Sequence, residues 1–120
     1  MDEKYILIVD DEVEICLLLS SMLKKMGYKT LCAYNLSDGI EKVKKCDAIC
    51  AVFLDLHLPD GIGFELMPEI KNVGHDIKVI VISAYDSMGE RQRASREGVD
   101  YFIGKPFDRQ KVIEALKVIN

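Results

Sequence analysis

The feature that most constrains the fold is a fivefold alternation between short apolar segments and longer segments with helical periodicity. The apolar segments span residues 5–9, 28–33, 48–56, 77–82 and 99–103. Most are apolar at nearly every position, which is typical of parallel strands buried on both faces. Because right-handed crossovers place the connecting helices on both faces of the sheet, the pattern predicts one doubly wound α/β domain with five parallel strands and five helices.

The first helix, over residues 13–26, has the broadest apolar face and is predicted to end at Gly27. Its predicted stripe comprises Val13, Cys16, Leu17, Ser20, Leu23 and Lys24, widened by Leu18, Leu19, Met22 and Met26. The second helix is predicted to start at Asn35, with Asp38 three residues later, and the last at Asp108.

The third and fourth helices are less regular. The third, over 64–72, must keep Pro68 in its first turn or be kinked there, since proline has no N–H to donate. The fourth, over 86–97, is poorly amphipathic, with only Met88 and Ala94 as apolar anchors. So thin an apolar face predicts low local stability for this helix.

Composition narrows the classes of protein that this chain can belong to. Hydrophobic residues make up 49% and charged residues 30% of the 120 residues, which is typical of a folded globular domain. The net charge of −4 argues against direct nucleic-acid binding, which needs clustered Lys and Arg. The chain has no apolar run of membrane-spanning length and no signal-peptide core, so we expect no membrane association and a cytoplasmic protein. Four cysteines without a C-x-x-C pair are expected to be core thiols in a reducing compartment.

Chemistry is expected at the carboxyl ends of the strands, where open parallel sheets bind their ligands. Those ends carry Asp10 and Asp11, Asp55, Ser83 and Lys105, after the first, third, fourth and fifth strands. Converging carboxylates repel one another and are tolerated beside a hard cation, for which Mg²⁺ is the best fit. Asp55 lies deepest in an apolar strand and is therefore the candidate nucleophile, with Lys105 and Ser83 able to contact a transferring phosphoryl group.

Most of these residues also have a structural explanation when each is taken alone. Asp11 with Glu14 three residues later fits a capping-box variant, Ser83 fits a turn, and Lys105 fits a solvated loop. Asp55 does not, because a buried, unpaired carboxylate costs several kcal/mol. The coincidence of all five positions at successive strand ends favours a functional site.

These residues carry a resemblance to the response regulator receiver domain of two-component signalling, which extends from Tyr5 to Ile119. The matching motifs are Val9-Asp10-Asp11-Glu12, Leu54-Asp55-Leu56-His57-Leu58-Pro59 followed by Gly63, Ser83-Ala84, and Gly98 before Lys105-Pro106-Phe107. The resemblance implies a flavodoxin-like fold with strand order 2-1-3-4-5. It also implies that residues 1–120 form one receiver domain.

The same resemblance implies roles for individual residues. Asp55 would be the phosphoacceptor, Asp10, Asp11 and Asp55 would hold Mg²⁺, and the backbone carbonyl of His57 would complete the protein ligands. Ser83 and Lys105 would contact the phosphoryl group, and the Lys105-Pro106 peptide would be cis. Ser83 and Phe102 would form the switch, with Phe102 filling the space that an inward movement of Ser83 vacates.

Partners follow from the resemblance as well. The phosphoryl group would come from a histidine kinase or a histidine phosphotransfer protein. The downstream effector would bind the face formed by the fourth helix, fifth strand and fifth helix. His57 and Tyr85 would flank the path of water, so the bulk of Tyr85 is predicted to slow loss of the phosphoryl group. Arg91 stands where many members of the family carry a small residue, which predicts an altered output face.

Three other functions are compatible with parts of the pattern. A haloacid dehalogenase-type phosphohydrolase also uses an Asp nucleophile but carries a second Asp two residues later, where this chain has His57. A nucleotide or flavin binder would need a Gly-rich loop after the first strand, and this chain has Asp-Asp-Glu there. An interaction module independent of phosphorylation would be expected to have lost some of the five site residues.

Overall fold

A five-stranded parallel sheet forms the centre of the protein in the computed structural model, which describes residues 4–85 and 87–119. Its strands are β1 (Tyr5–Val9), β2 (Lys29–Ala33), β3 (Ile49–Asp55), β6 (Lys78–Ser83) and β7 (Tyr101–Gly104). Two short strands, β4 (His57–Leu58) and β5 (Gly61–Ile62), form a hairpin in the loop after β3. The order β2-β1-β3-β6-β7 is the predicted 2-1-3-4-5 when only the strands of the sheet are counted.

Within the described residues, five α-helices cover both faces of the sheet, four of them between strands and the fifth after β7. They are α1 (Val13–Lys25), α2 (Leu36–Lys45), α3 (Met67–Lys71), α4 (Met88–Glu97) and α5 (Arg109–Leu116). Buried side chains of α1 and α5 pack on one face, around Phe53 and Ile80, and those of α2, α3 and α4 pack on the other, around Val52 and Val81. β1, β3 and β6 are therefore enclosed on both sides, as their sequences predicted.

The predicted helix starts at Asn35 and Asp108 are confirmed by their hydrogen bonds. The Asn35 side chain accepts from the Asp38 N–H at 2.8 Å, and the Asp108 side chain accepts from the Lys111 N–H at 2.9 Å. A second cap on α2 comes from far away in the sequence. The carboxylate of Asp60, in the loop after β3, accepts from the N–H groups of Leu36 and Ser37 at 2.7 and 3.0 Å.

The predicted apolar stripe of α1 is partly wrong. Cys16, Leu19 and Leu23 are buried, but Val13, Leu17 and Leu18 are exposed, and Leu17 is 64% accessible. Apolar residues surround much of this helix, so periodicity alone did not distinguish the core-facing side from the other. The capping explanation for Asp11 is also wrong, because the helix begins after Glu12 and has no side-chain cap.

The boundaries of the third and fourth helices differ from prediction. The segment before α3 is a 3₁₀ helix, Gly63–Leu66, and Pro68 lies in the first turn of α3, where its missing N–H has no helical partner to lose. α4 begins at Met88 with Ser87 as its cap, while Asp86, the predicted start, lies outside the described residues. As expected, α4 is thinly anchored: Ala94 is its single buried residue.

All four cysteines are free and lie in or against the two cores. Over residues 4–85 and 87–119, no helix is both long and apolar enough to cross a membrane.

Candidate functional site

The first acidic side chains stand directly after β1. Asp10 is fully buried, and its Oδ1 accepts a hydrogen bond from the Glu12 N–H at 2.9 Å. The Cys16 thiol on α1 donates to the Asp10 carbonyl oxygen at 3.6 Å, so the helix also fixes the backbone of this residue. Asp11, the next residue, is exposed at the rim.

Asp55 is the last residue of β3 and is only 5% exposed. It lies opposite Ile82 of β6, and its Oδ1 accepts a long hydrogen bond of 3.3 Å from the His57 N–H. The following loop folds tightly against it, because Gly63 N–H donates to the Leu56 carbonyl at 2.8 Å. A Cβ at Gly63 would overlap the carbonyl oxygen of Asp55, so a glycine is required here.

Carboxylate oxygens of Asp10, Asp11 and Asp55 lie within 4.8 Å of one another. Two like charges at about 4 Å repel by about 4 kcal/mol at an effective dielectric constant near 20. Lys105 offsets part of this repulsion. Its Nζ lies 2.9 Å from Asp10 Oδ2, 3.0 Å from Glu12 Oε2 and 3.5 Å from Asp55 Oδ2.

The donor set also fits a hard divalent cation. Asp10 Oδ2 is buried and, among the described residues, no group makes a well-aligned hydrogen bond with it, although Lys105 Nζ is close. The Lys105 ammonium is the cation that faces this oxygen in the structure, at 2.9 Å. Three carboxylates at this spacing supply the oxygen ligands that Mg²⁺ and Ca²⁺ prefer.

The surroundings shift the pKa of both Asp55 and Lys105. Burial, and then the charge of Asp10, raise the pKa of Asp55, while Lys105 and the His57 N–H act in the opposite direction. Burial alone would lower the pKa of Lys105, but its contacts with Asp10 and Glu12 and the charge of Asp55 raise it on balance. Lys105 is therefore a cation throughout the neutral range.

Ser83 and Lys105 are joined through the backbone at the next strand ends. The Lys105 N–H donates to the Ser83 carbonyl at 2.7 Å, and the Ser83 hydroxyl, which is fully buried, accepts from the Tyr85 N–H at 3.0 Å. The Lys105-Pro106 peptide is cis, as the resemblance implied.

Two aromatic rings, one in the loop after β3 and one in the loop after β6, lie against each other. The rings of His57 and Tyr85 have centroids 4.2 Å apart and are inclined by 52°. His57 Nε2 also lies 3.6 Å from Glu90 Oε1 on α4. The loop after β3 and the start of α4 thus meet above the acidic edge.

The structure brings together the residues predicted from the strand ends and adds two that the sequence argument gave no role. Glu12 shares the Lys105 amine, and its place directly after Asp10 and Asp11 was a usable signal. Asp60 caps α2 across the loop, and no local pattern indicates that contact. Ligation of a cation by the His57 carbonyl stays a prediction.

A doubly wound parallel sheet binds its ligands at the carboxyl ends of its strands, which is where this protein has its acidic cluster and lysine. The sequence profile of the response regulator receiver domain matches residues 6–117, and the chain belongs to this family.

Individual relatives agree with this assignment. The chain is 34% identical over 117 residues to sporulation initiation phosphotransferase F of Bacillus subtilis (strain 168), covering 98% of this chain and 93% of that protein. It is 33% identical over 108 residues to transcriptional regulatory protein ZraR of Klebsiella oxytoca, covering 89% of this chain but 24% of that longer protein. Among solved structures, a CheY-like receiver domain protein from Methanospirillum hungatei JF-1 superposes with a TM-score of 0.88 at 27% identity, covering 98% of this chain and 93% of that one.

Proposed function

We propose that Asp55 accepts a phosphoryl group from a phosphohistidine of a histidine kinase or a histidine phosphotransfer protein, in a reaction that depends on Mg²⁺. The observation that carries this proposal is the Asp55 carboxylate, which is buried at a strand end beside Asp10 and within 3.5 Å of the Lys105 amine. A buried carboxylate facing other carboxylates is costly for stability, which favours a chemical role over a structural one.

In the proposed transfer, an Asp55 oxygen forms a bond to phosphorus while the P–N bond of the donor phosphohistidine breaks. The donor imidazole leaves with the electron pair of that bond, and Asp55 becomes an acyl phosphate. Bound Mg²⁺ would supply positive charge to the phosphoryl oxygens during transfer. The side chains of Asp10, Asp11 and Asp55 and the carbonyl of His57 would hold it.

Lys105 and Ser83 would then stabilise the phosphorylated state. Lys105 Nζ already lies beside Asp55 and would pair with one phosphoryl oxygen, while the Ser83 hydroxyl would donate to another. Accepting from the Tyr85 N–H, as in the structure, does not use the hydrogen of the Ser83 hydroxyl, so this donation is compatible with that bond. By this proposal the domain catalyses only its own phosphorylation and the later hydrolysis of the acyl phosphate.

The effector is proposed to bind the face formed by α4, β7 and α5, in the cytoplasm. That face contains a groove of about 230 Å³. The groove is lined by Arg91, Tyr101, Phe102, Ile103, Gly104 and Lys111. Aromatic and arginine side chains of this kind are enriched at protein interfaces. Phe102 in the groove connects it to the switch that Ser83 would operate.

The direct test is incubation with acetyl phosphate or phosphoramidate and Mg²⁺, followed by intact-mass measurement. We expect one phosphoryl group per chain, no adduct without Mg²⁺ and none in Asp55→Asn. Asp60→Asn is the matched control, because it makes the same chemical change five residues away and should still be phosphorylated. An adduct that persists in Asp55→Asn would refute the assignment, and multiple turnover on unrelated phosphate esters would favour the phosphohydrolase.

A further inference from the structure

Arg91 of α4 lies over the ring of Phe102 on β7. The guanidinium carbon is 4.6 Å from the ring centroid, within the range of a cation–π contact. The ring itself is half-buried and packs against the core on the α4 side of the sheet. Phe102 is therefore held from two sides, by the core beneath it and by a cation above it.

Ser83 and Phe102 are neighbours on one face of the sheet. In the β6–β7 register, Val81 lies opposite Phe102 and Ser83 lies opposite Gly104. Side chains two residues apart on a strand share a face, so Ser83 and Phe102 are diagonal neighbours, at a separation that an aromatic ring can bridge. Gly104 contributes no side chain between them. Movement of the Ser83 hydroxyl toward Asp55 would thus leave space that the Phe102 ring can enter.

The contact with Arg91 matters because little else holds α4. Of its ten residues, Ala94 alone is buried. Polar contacts supply much of the remaining attachment, including Glu90 to His57 at 3.6 Å and Arg93 over the Phe64 ring at 4.8 Å. A ring that turns inward leaves the Arg91 guanidinium, so this contact favours the outward position.

We propose that Arg91 is a positioning residue that holds the Phe102 ring outward and so slows phosphorylation of Asp55. The inference rests on the proposed function, in which phosphorylation favours the inward ring. Two packings then compete, and the Arg91 contact biases the population toward the resting one. The strength of an exposed cation–π contact corresponds to a shift of about two- to fivefold in that population.

The test compares Arg91→Gln with Arg93→Gln. Both variants remove one positive charge from an exposed position of the same helix and one cation from an aromatic ring, but Phe64 is not part of the proposed switch. We expect the initial rate of phosphorylation by phosphoramidate and Mg²⁺ to rise about two- to fivefold in Arg91→Gln and to stay parental in Arg93→Gln. Arg91→Lys, which keeps a cation near the ring, should return the rate most of the way to the parental value.

A second measurement reads the equilibrium directly. Titration with beryllofluoride and Mg²⁺ should reach its midpoint at a lower concentration in Arg91→Gln than in Arg93→Gln. Fluorine NMR of protein labelled with 4-fluorophenylalanine should show the Phe102 resonance moving only in the first variant. Arg91→Met, which keeps the aliphatic part of the side chain, is the second variant if Arg91→Gln folds poorly.

The outcomes separate the two proposals. Equal rates and midpoints in the two glutamine variants, or a slower Arg91→Gln, would overturn the role of Arg91 while leaving phosphorylation of Asp55 intact. Failure of the parent protein to form any Asp55 adduct would instead overturn the proposed function. A faster Arg91→Gln with a parental melting temperature excludes damage to the fold as the cause.

Discussion

Asp55 ends β3, Asp60 lies five residues later in the loop that follows, and their carboxylates have opposite electrostatic surroundings. Asp55 is buried beside Asp10, and burial together with that charge raises its pKa. Asp60 is exposed at the start of α2, and the backbone N–H groups of Leu36 and Ser37 lower its pKa. The first carboxylate is destabilised by its place in the fold, whereas the second is stabilised.

The two carboxylates therefore differ in what they do for the protein. The Asp60 end is bonded to α2, a ten-residue helix with Leu36, Gly39 and Val43 buried. The Asp55 carboxylate faces the charges of Asp10 and Lys105, and a bound cation or phosphoryl group would change these contacts. By the proposed function, the reactive carboxylate is the one that costs stability, while a neighbouring carboxylate holds the loop in place.

The largest expected effect comes from removing the Lys105 ammonium, which lies beside Asp55 and not beside Asp60. In Lys105→Met we expect the rate of phosphorylation by acetyl phosphate to fall by about 100-fold, the scale seen when one charge-stabilising donor is removed from an active site. The measurement is the initial rate of adduct formation by intact mass. Lys24→Met, an exposed lysine of α1, is the control and should keep the parental rate. A parental rate in Lys105→Met would remove Lys105 from the mechanism.

Replacing Asp55 and Asp60 by asparagine should shift Tm in opposite directions. Asp55→Asn removes a repelled charge and should raise Tm by several degrees in EDTA at pH 7. Asp60→Asn removes a charge from a helix N-terminus and one of two accepting oxygens, and should lower Tm by a few degrees. Thermal melts of the two variants check this, and shifts of the same sign would contradict the comparison.

Lowering the pH should remove the Tm differences between each of these two variants and the parent protein. The folded-state pKa of Asp55 is raised, so its carboxylate disfavours folding above that pKa, and the penalty vanishes below the ordinary value of 3.8. The folded-state pKa of Asp60 is lowered, so its contribution is present above 3.8 and is lost as pH falls through the folded-state value. Melts in EDTA from pH 7 toward pH 3 should therefore bring Asp55→Asn and Asp60→Asn toward the parent from opposite sides. A constant offset would show that the charges are not responsible.

The smallest expected effect concerns access of water to the Asp55 end. Tyr85 is 58% exposed, and its ring lies against that of His57. We expect Tyr85→Ala to shorten the half-life of the acyl phosphate severalfold, because less bulk excludes water from the phosphoryl group. The half-life is measured after removal of the phosphodonor, with Tyr34→Ala, another exposed tyrosine, as the control. An unchanged half-life would refute this role for Tyr85.

Local patterns were sufficient to predict five parallel strands and the residues that follow them, whereas the strand order was implied by the family resemblance. Residues that end or directly follow parallel strands lie at one edge of the sheet, so Asp10, Asp55, Ser83 and Lys105 could be assigned to that edge from the sequence. The errors arise where apolar residues surround a helix, as at Leu17 and Leu18 of α1. Contacts between residues distant in the sequence, such as the Asp60 cap or Arg91 over Phe102, leave no periodic signal and needed the structure.

The hydrogen bond from the Lys105 N–H to the Ser83 carbonyl has a consequence for kinetics. It joins the backbone at the end of β6 to the backbone just after β7, so neither segment can be displaced far without the other. We expect a spectroscopic label near either residue to report a single relaxation time for both after phosphorylation. Two separable relaxation times would mean that this bond breaks during activation.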